Sequence, residues 1–102
     1  MSAQVPTAAL AKALDARSEV PDGKTLLSQN AALMQRYLQT YGLPGDALAP
    51  FSVNAHKNAR NNPMAMFQDR QFTAQQVMES RLIYPPLRLL DCSPVSDGAA
   101  AV

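Results

Sequence analysis

Cys92, His56 and Ser93 are the side chains with the chemistry to act on a substrate. A cysteine beside a base, or at a helix N-terminus, is an activated nucleophile because either neighbour stabilises the thiolate. Cys92 has neither in sequence: it follows an apolar run and precedes Ser93-Pro94. That setting favours a small packed thiol over a reactive one. His56 is, by residue type, a candidate general base. No nucleophile is tied to it by sequence, so a structural or surface role is the stronger expectation. Ser93 offers a hydroxyl that both donates and accepts. Asp97-Gly98 downstream is a turn signal, so a bond from Ser93 to its own backbone is the plain alternative. Lys57, Arg60 and Arg70 could meet phosphates. No glycine loop accompanies them, and scattered basic residues usually solvate a face. Met64, Met66 and Phe67 could line an apolar channel, but a packed core is the stronger reading.

Composition narrows the classes further. The chain has 102 residues, which allows at most one small domain. Apolar residues make up 47% and charged residues 17%. The charged share is below the usual figure of about 25%, which suggests that part of the surface is covered in the working protein. Net charge is +1, so there is no basic footprint for nucleic acid and no acidic tail. One cysteine excludes an internal disulfide framework and a cysteine-rich zinc site, and one histidine excludes a multi-histidine metal site. No apolar run approaches the roughly 18 residues of a membrane span. The N-terminus lacks the charged start and apolar core of a signal peptide, so a reducing, cytoplasmic location is expected.

Helices must position these residues. Thr7 can cap a first helix to about Arg17, and Pro21-Asp22-Gly23 reads as a turn. The strongest helix covers residues 25–41. Leu26, Leu27, Asn30, Leu33, Met34, Tyr37, Leu38 and Tyr41 recur at helical spacing, with Gly42 as the stop. A third helix starts near Asp46 as N-cap, holds Pro50 in its first turn, and ends at Asn61-Asn62-Pro63. Its apolar side is marked by Leu48, Phe51, Ala55 and Ala59. Thr73 and Gln76 fit a capping box that opens a short helix with Val77 inward. Pro85-Pro86 forbids helix, residues 87–91 can form a strand, and residues 99–102 read as a small, apolar, buried strand. Such a strand needs neighbours on both sides, which the chain does not offer. The pattern suggests a piece of a larger α/β protein, cut where its sheet begins.

Two stretches carry a resemblance. Pro85-Pro86-Leu87-Arg88-Leu89-Leu90-Asp91-Cys92-Ser93-Pro94-Val95-Ser96-Asp97-Gly98-Ala99-Ala100-Ala101-Val102 resembles the segment closing the N-terminal half of thiolases, in the branch of sterol-carrier-protein-type thiolases and lipid-transfer proteins. Asn54-Ala55-His56-Lys57-Asn58-Ala59-Arg60-Asn61-Asn62-Pro63-Met64-Ala65-Met66-Phe67 resembles a helix and turn of the same branch. The run Met34-Gln35-Arg36-Tyr37-Leu38-Gln39-Thr40-Tyr41-Gly42 is similar to the helix before it.

The resemblance implies an α/β thiolase-like fold, present here in part: mostly α-helical, with strand material at the C-terminal end. Residues 1–86 would be a helical loop-domain segment. Residues 87–102 would be the return strand or strands into the N-terminal sheet, with no complete domain. It implies coenzyme A thioesters as substrates, no covalently bound cofactor, and Claisen or retro-Claisen acyltransferase chemistry, or a relative acting on lipid or steroid side chains. In the family a cysteine nucleophile, a histidine and a second cysteine do the chemistry. The nucleophile precedes the loop domain, and the other two belong to His-Gly-type and Cys-x-Gly motifs that this sequence lacks. His56 is followed by Lys57 and Cys92 by Ser93, so no catalytic residue is expected here and the chain alone should be inactive.

Ser93 is the family's one carry-over. A serine four positions before the Asp-Gly pair lies near the pantetheine arm of coenzyme A, and Ser93 stands at that spacing from Asp97-Gly98. Pro94 departs from the glycine of many biosynthetic thiolases. The implied partners are the remainder of a thiolase chain or a thiolase dimer. Some relatives pair with small OB-fold proteins. From a different class, the chain could be a non-catalytic helical binding or interaction module derived from a thiolase. A hydrolase built on Cys92 and His56 has little support.

Overall fold

The computed structural model describes residues 4–96 and 99–101. Helix α1 covers Gln4–Leu10 and passes into a 3-10 turn over Ala11–Ala13. It begins before Thr7 rather than at it. Pro6 falls in its first turn, where a missing N–H costs nothing because that donor has no intrahelical partner. The chain leaves helix after Ala13, not at Arg17, because Asp15 draws the backbone into a turn. Its carboxylate accepts from the N–H groups of Arg17 and Ser18 at 2.8 and 2.9 Å. Gly23 then sits at φ 71°, as the Pro21-Asp22-Gly23 turn requires.

Helix α2 covers Leu26–Thr40. Thr25 caps it: its hydroxyl accepts from the N–H of Ser28 at 3.1 Å, and the Ser28 hydroxyl accepts from the N–H of Thr25 at 2.8 Å. The helix ends at Gly42, φ 60°, in a Schellman motif. There Leu43 N–H donates to Leu38 O and Gly42 N–H to Gln39 O. Helix α3 covers Ala49–Ala59, with Pro50 in its first turn. Asp46 does not cap it. Leu48 occupies the N-cap position without a side-chain bond, and successive backbone turns wind into the helix, including Ala49 N–H to Asp46 O at 3.0 Å. Helix α4 covers Ala74–Glu79 behind the Thr73–Gln76 capping box.

A small hairpin follows. Strand β1, Leu82–Tyr84, pairs antiparallel with β2, Leu87–Arg88, across Pro85-Pro86. Helix α4 is followed by β1 without a sequence signal, since three residues cannot show an alternation. The expected strand over residues 87–91 lasts only two residues. At Leu89–Asp91 the chain turns into a 3-10 segment, held by Arg88 N–H donating to the Asp91 carboxylate at 2.9 Å. Residues 99–101 are exposed and carry no strand pairing among the described residues. The hairpin is the only sheet among the described residues and offers them no partner. Asp97-Gly98 and Val102 lie outside the described residues.

The core is thin. Among the described residues, the buried apolar side chains are Ala31, Leu38, Ala49, Val77 and Leu87. Helix α3 packs on α4, α2 packs on the hairpin, and the 3-10 segment sits between α3 and α4. The radius of gyration is 15.6 Å, against about 13 Å for a compact domain of this length. The periodic stripe of α2 therefore splits. Ala31 and Leu38 face inward, while Leu33, Tyr37 and Tyr41 stay exposed. Phe51 of α3 is 73% exposed, and Met64 and Met66 are exposed rather than core residues. The architecture is mostly helical with a strand pair near the C-terminal end, in keeping with part of a thiolase-like α/β fold.

Candidate functional site

An apolar groove of about 920 Å³ runs between α2, α3 and the segment after β2. That is within the range of ligand sites. Helix α2 lends it Leu33, Met34 and Tyr37, and α3 lends Phe51, Ser52 and His56. Leu90, Cys92 and Ser93 close the third side. The three residues that sequence singles out are thus brought to one groove, His56 from at least 36 positions before the adjacent Cys92 and Ser93.

Each is held differently. The half-buried His56 ring places Nδ1 2.9 Å from the carbonyl oxygen of Ser52, one turn back on α3. An N–H at Nδ1 donates to that carbonyl, since an oxygen can only accept. The ring meets the Phe72 ring edge-on, with centroids 4.8 Å apart, and stacks more loosely on Phe67. Gln71 Nε2 donates to the His56 carbonyl at 2.9 Å. These contacts fix His56 as part of the wall.

Cys92 is half-buried, and its thiol donates to the Arg88 carbonyl at 3.4 Å. Burial, and secondarily the Asp91 carboxylate beside it, pushes the thiol above its ordinary pKa. A nucleophilic cysteine needs the opposite shift. Ser93 is exposed on the groove's rim, and its hydroxyl has no hydrogen-bond partner among the described residues.

Two serines that the sequence did not mark hold the rim in place. The Ser52 hydroxyl on α3 donates to the Leu90 carbonyl. The Ser80 hydroxyl, at the end of α4, accepts from the Leu90 N–H at 3.4 Å and donates to the Val77 carbonyl at 2.7 Å. Arg88 Nη1 reaches the Ser80 carbonyl at 3.0 Å. The only sequence hint was that Ser52 and His56 share a helix face four residues apart.

The basic residues do not converge on the groove. Lys57, Arg60 and Arg70 are exposed, and none of them lines it. Arg70 lies over the Phe67 ring, 5.2 Å from its centroid, and Arg60 borders a separate polar recess with Gln68, Asp69 and Gln71. Met66 and Phe67 line the groove, whereas Met64 does not. Among the described residues no three His, Cys, Asp or Glu side chains are grouped to hold a metal ion, and no helix is long and apolar enough to cross a membrane.

No protein-family model matches the chain. Individual proteins do. An acetyl-CoA acetyltransferase of Methanothermobacter thermautotrophicus is 48% identical over 97 residues, 95% of this chain and 25% of its own length. Sterol carrier protein 2 of Rattus norvegicus is 37% identical over 67 residues, 66% of this chain and 12% of its own. A 17-hydroxy-3-oxo-4-pregnene-20-carboxyl-CoA lyase of Mycobacterium tuberculosis is 38% identical over 78 residues, 76% of this chain and 20% of its own. The chain therefore spans about a quarter or less of the length of these curated relatives. Identity of this degree over most of the chain means that it belongs to the thiolase family, in the part of it that holds these acetyl-CoA acetyltransferases and sterol carrier protein 2.

Proposed function

We propose that the chain is one segment of an acyl-CoA enzyme of the thiolase type, and that it forms a wall of the coenzyme A thioester site without supplying the nucleophile. The intact protein would make or break a carbon–carbon bond next to a thioester, on a fatty-acid or steroid side chain. Residues 1–86 would be its loop domain, and residues 87–102 would return the chain to the N-terminal sheet. Its immediate partners would be the rest of the same polypeptide and a second subunit, with a small OB-fold protein as a further candidate.

One observation supports this reading: an exposed Ser93 hydroxyl on the rim of an apolar groove, without a hydrogen-bond partner among the described residues. A pantetheine arm is an apolar chain interrupted by amides, so it needs a greasy wall with an occasional hydrogen-bonding group. Cys92, with its raised thiol, does not fit the nucleophile's part. The test is calorimetric titration of coenzyme A into the full-length protein that contains this chain. Ser93→Ala should weaken binding about fivefold, the worth of one neutral hydrogen bond. Unchanged affinity in a folded variant would remove Ser93 from the site.

A second reading is a non-catalytic helical interaction module. The exposed Leu33, Tyr37, Tyr41 and Phe51 support it, because a free-standing domain rarely shows so much apolar surface without a partner. Sequencing the DNA on both sides of the reading frame separates the two. In-frame flanks encoding a cysteine-bearing helix and a His-Gly motif support the enzyme segment. Unrelated flanks bounded by stop codons support the module.

A further inference from the structure

We infer that Ser52 is a positioning residue for Ser93. It acts through the backbone of Leu90 and fixes the height of the serine hydroxyl on the groove rim. The inference rests on the reading of Ser93 as a coenzyme A contact.

The argument starts from the backbone after β2. Leu90 lies three residues before Ser93, in a 3-10 segment of only three residues. So short a segment has little hydrogen bonding of its own. Both polar groups of Leu90 are instead taken by serines from different helices. Its carbonyl accepts from Ser52 of α3, and its N–H donates to Ser80 beyond α4. Leu89 N–H adds a bond to the Arg81 carbonyl at 2.8 Å, and Arg88 N–H one to Asp91.

The two serines are not equivalent. Ser80 belongs to the α4 end, which is anchored by the fully buried Val77. Ser52 belongs to α3, whose next turn carries His56 and whose outer face forms the opposite wall of the groove. The Ser52–Leu90 bond is therefore the strut that spaces the two walls. It joins residues 38 positions apart. Without it the rim can rock away from α3, and the Ser93 hydroxyl loses its defined distance to anything lying along the groove. A displacement of about 1 Å is enough to lose a directed hydrogen bond.

The experiment is a double-mutant cycle in the full-length protein, read as the affinity for coenzyme A by calorimetry. Ser52→Ala should weaken binding about fivefold, as loss of the Ser93 bond would. Ser52→Thr, which keeps the hydroxyl, should restore it to within about twofold. Ser52→Ala combined with Ser93→Ala should be no weaker than Ser93→Ala alone, because the strut then has nothing left to position. If Ser93→Ala weakens binding and Ser52→Ala does not, the inference is wrong while the coenzyme A reading stands. Additive losses in the double variant also overturn it. If Ser93→Ala itself changes nothing, both fall. Should Ser52→Ala fail to fold, Ser52→Cys keeps nearly the same volume but offers only a weak donor to the Leu90 carbonyl, and it must weaken binding relative to the wild type; wild-type affinity there would overturn the inference.

Discussion

The Cys92 thiol points at the Arg88 carbonyl oxygen, 3.4 Å away across the turn that ends β2. The proton that a nucleophile must lose is therefore engaged with the backbone. Burial first, and the Asp91 charge second, raise the thiol above its ordinary value. This shift is the opposite of the one that activates a nucleophilic thiol.

Alkylation of Cys92 by iodoacetamide should accordingly be slow at pH 7 and quicken only above the ordinary thiol value of about 8.5. Asp91→Asn removes the neighbouring charge while keeping an acceptor for Arg88 N–H, so it should lower the thiol pKa and speed alkylation at pH 8 severalfold. The sign for stability follows. A pKa raised by folding gives a contribution that is complete below the unfolded thiol value and is lost as pH climbs through the higher folded value. Urea midpoints should fall between pH 8 and 10, and Cys92→Ser should flatten that fall. A Cys92 that reacts faster than a free thiol at pH 7 contradicts all of this.

His56 is fixed by its Nδ1 bond to the Ser52 carbonyl and by the Phe72 edge. His56→Ala removes one hydrogen bond and the ring contacts with Phe72 and Phe67, so thermal denaturation should show a loss of about 1–2 kcal/mol. His56→Phe keeps the ring packing and should lose less. On the proposed acyl-CoA reading, His56→Ala in the full-length protein should lower kcat by much less than the roughly 10²-fold that removal of a general base costs. A larger drop in kcat with wild-type stability would make His56 a proton-transfer group.

What the sequence made legible follows the range of the interactions. Helix α2 was readable because its signals are local: Thr25 before it, Gly42 after it, and an apolar period between. Even there Ser28 takes the capping role usually given to Glu or Gln, through the same short reach to the N-cap N–H. The Thr73–Gln76 box was likewise visible. Strand β1 was not, since its three residues are defined only by pairing with β2. Residues 99–102 carry a strand's composition, but composition supplies no neighbour. For the site, Ser93, Cys92 and His56 could be named from residue type. That they share one groove, and that Ser52 and Ser80 hold the rim, depends on contacts between distant positions that no periodicity encodes.

Gly42 at φ 60° closes α2 where any side chain would be strained, although nothing lies within 4 Å of a Cβ placed there. The cost of Gly42→Ala is therefore purely conformational, about 1 kcal/mol. Gly42→Asn should cost less, because asparagine tolerates the left-handed region. Gly45, in negative-φ backbone and equally open space, should accept alanine without loss. Thermal melts of the three variants test the ranking, and equal losses at Gly42 and Gly45 would refute the conformational account.

Leu33 of α2 and Phe51 of α3 are 69% and 73% exposed, and both line the groove. Their energetic role depends on what covers them. If the groove is closed by the rest of a thiolase polypeptide, Leu33→Ser with Phe51→Ser removes buried apolar surface in the full-length protein. At about 25 cal/mol per Å², two side chains of this size amount to several kcal/mol, and the melting temperature should fall by many degrees. In the chain by itself the same pair exchanges exposed apolar groups for polar ones. There it should leave the helical circular dichroism intact and lower the binding of a dye such as ANS. Opposite effects in the two contexts would mean that the face is covered by other parts of the polypeptide. Unchanged stability in the full-length protein would leave the face open to solvent and favour the interaction module.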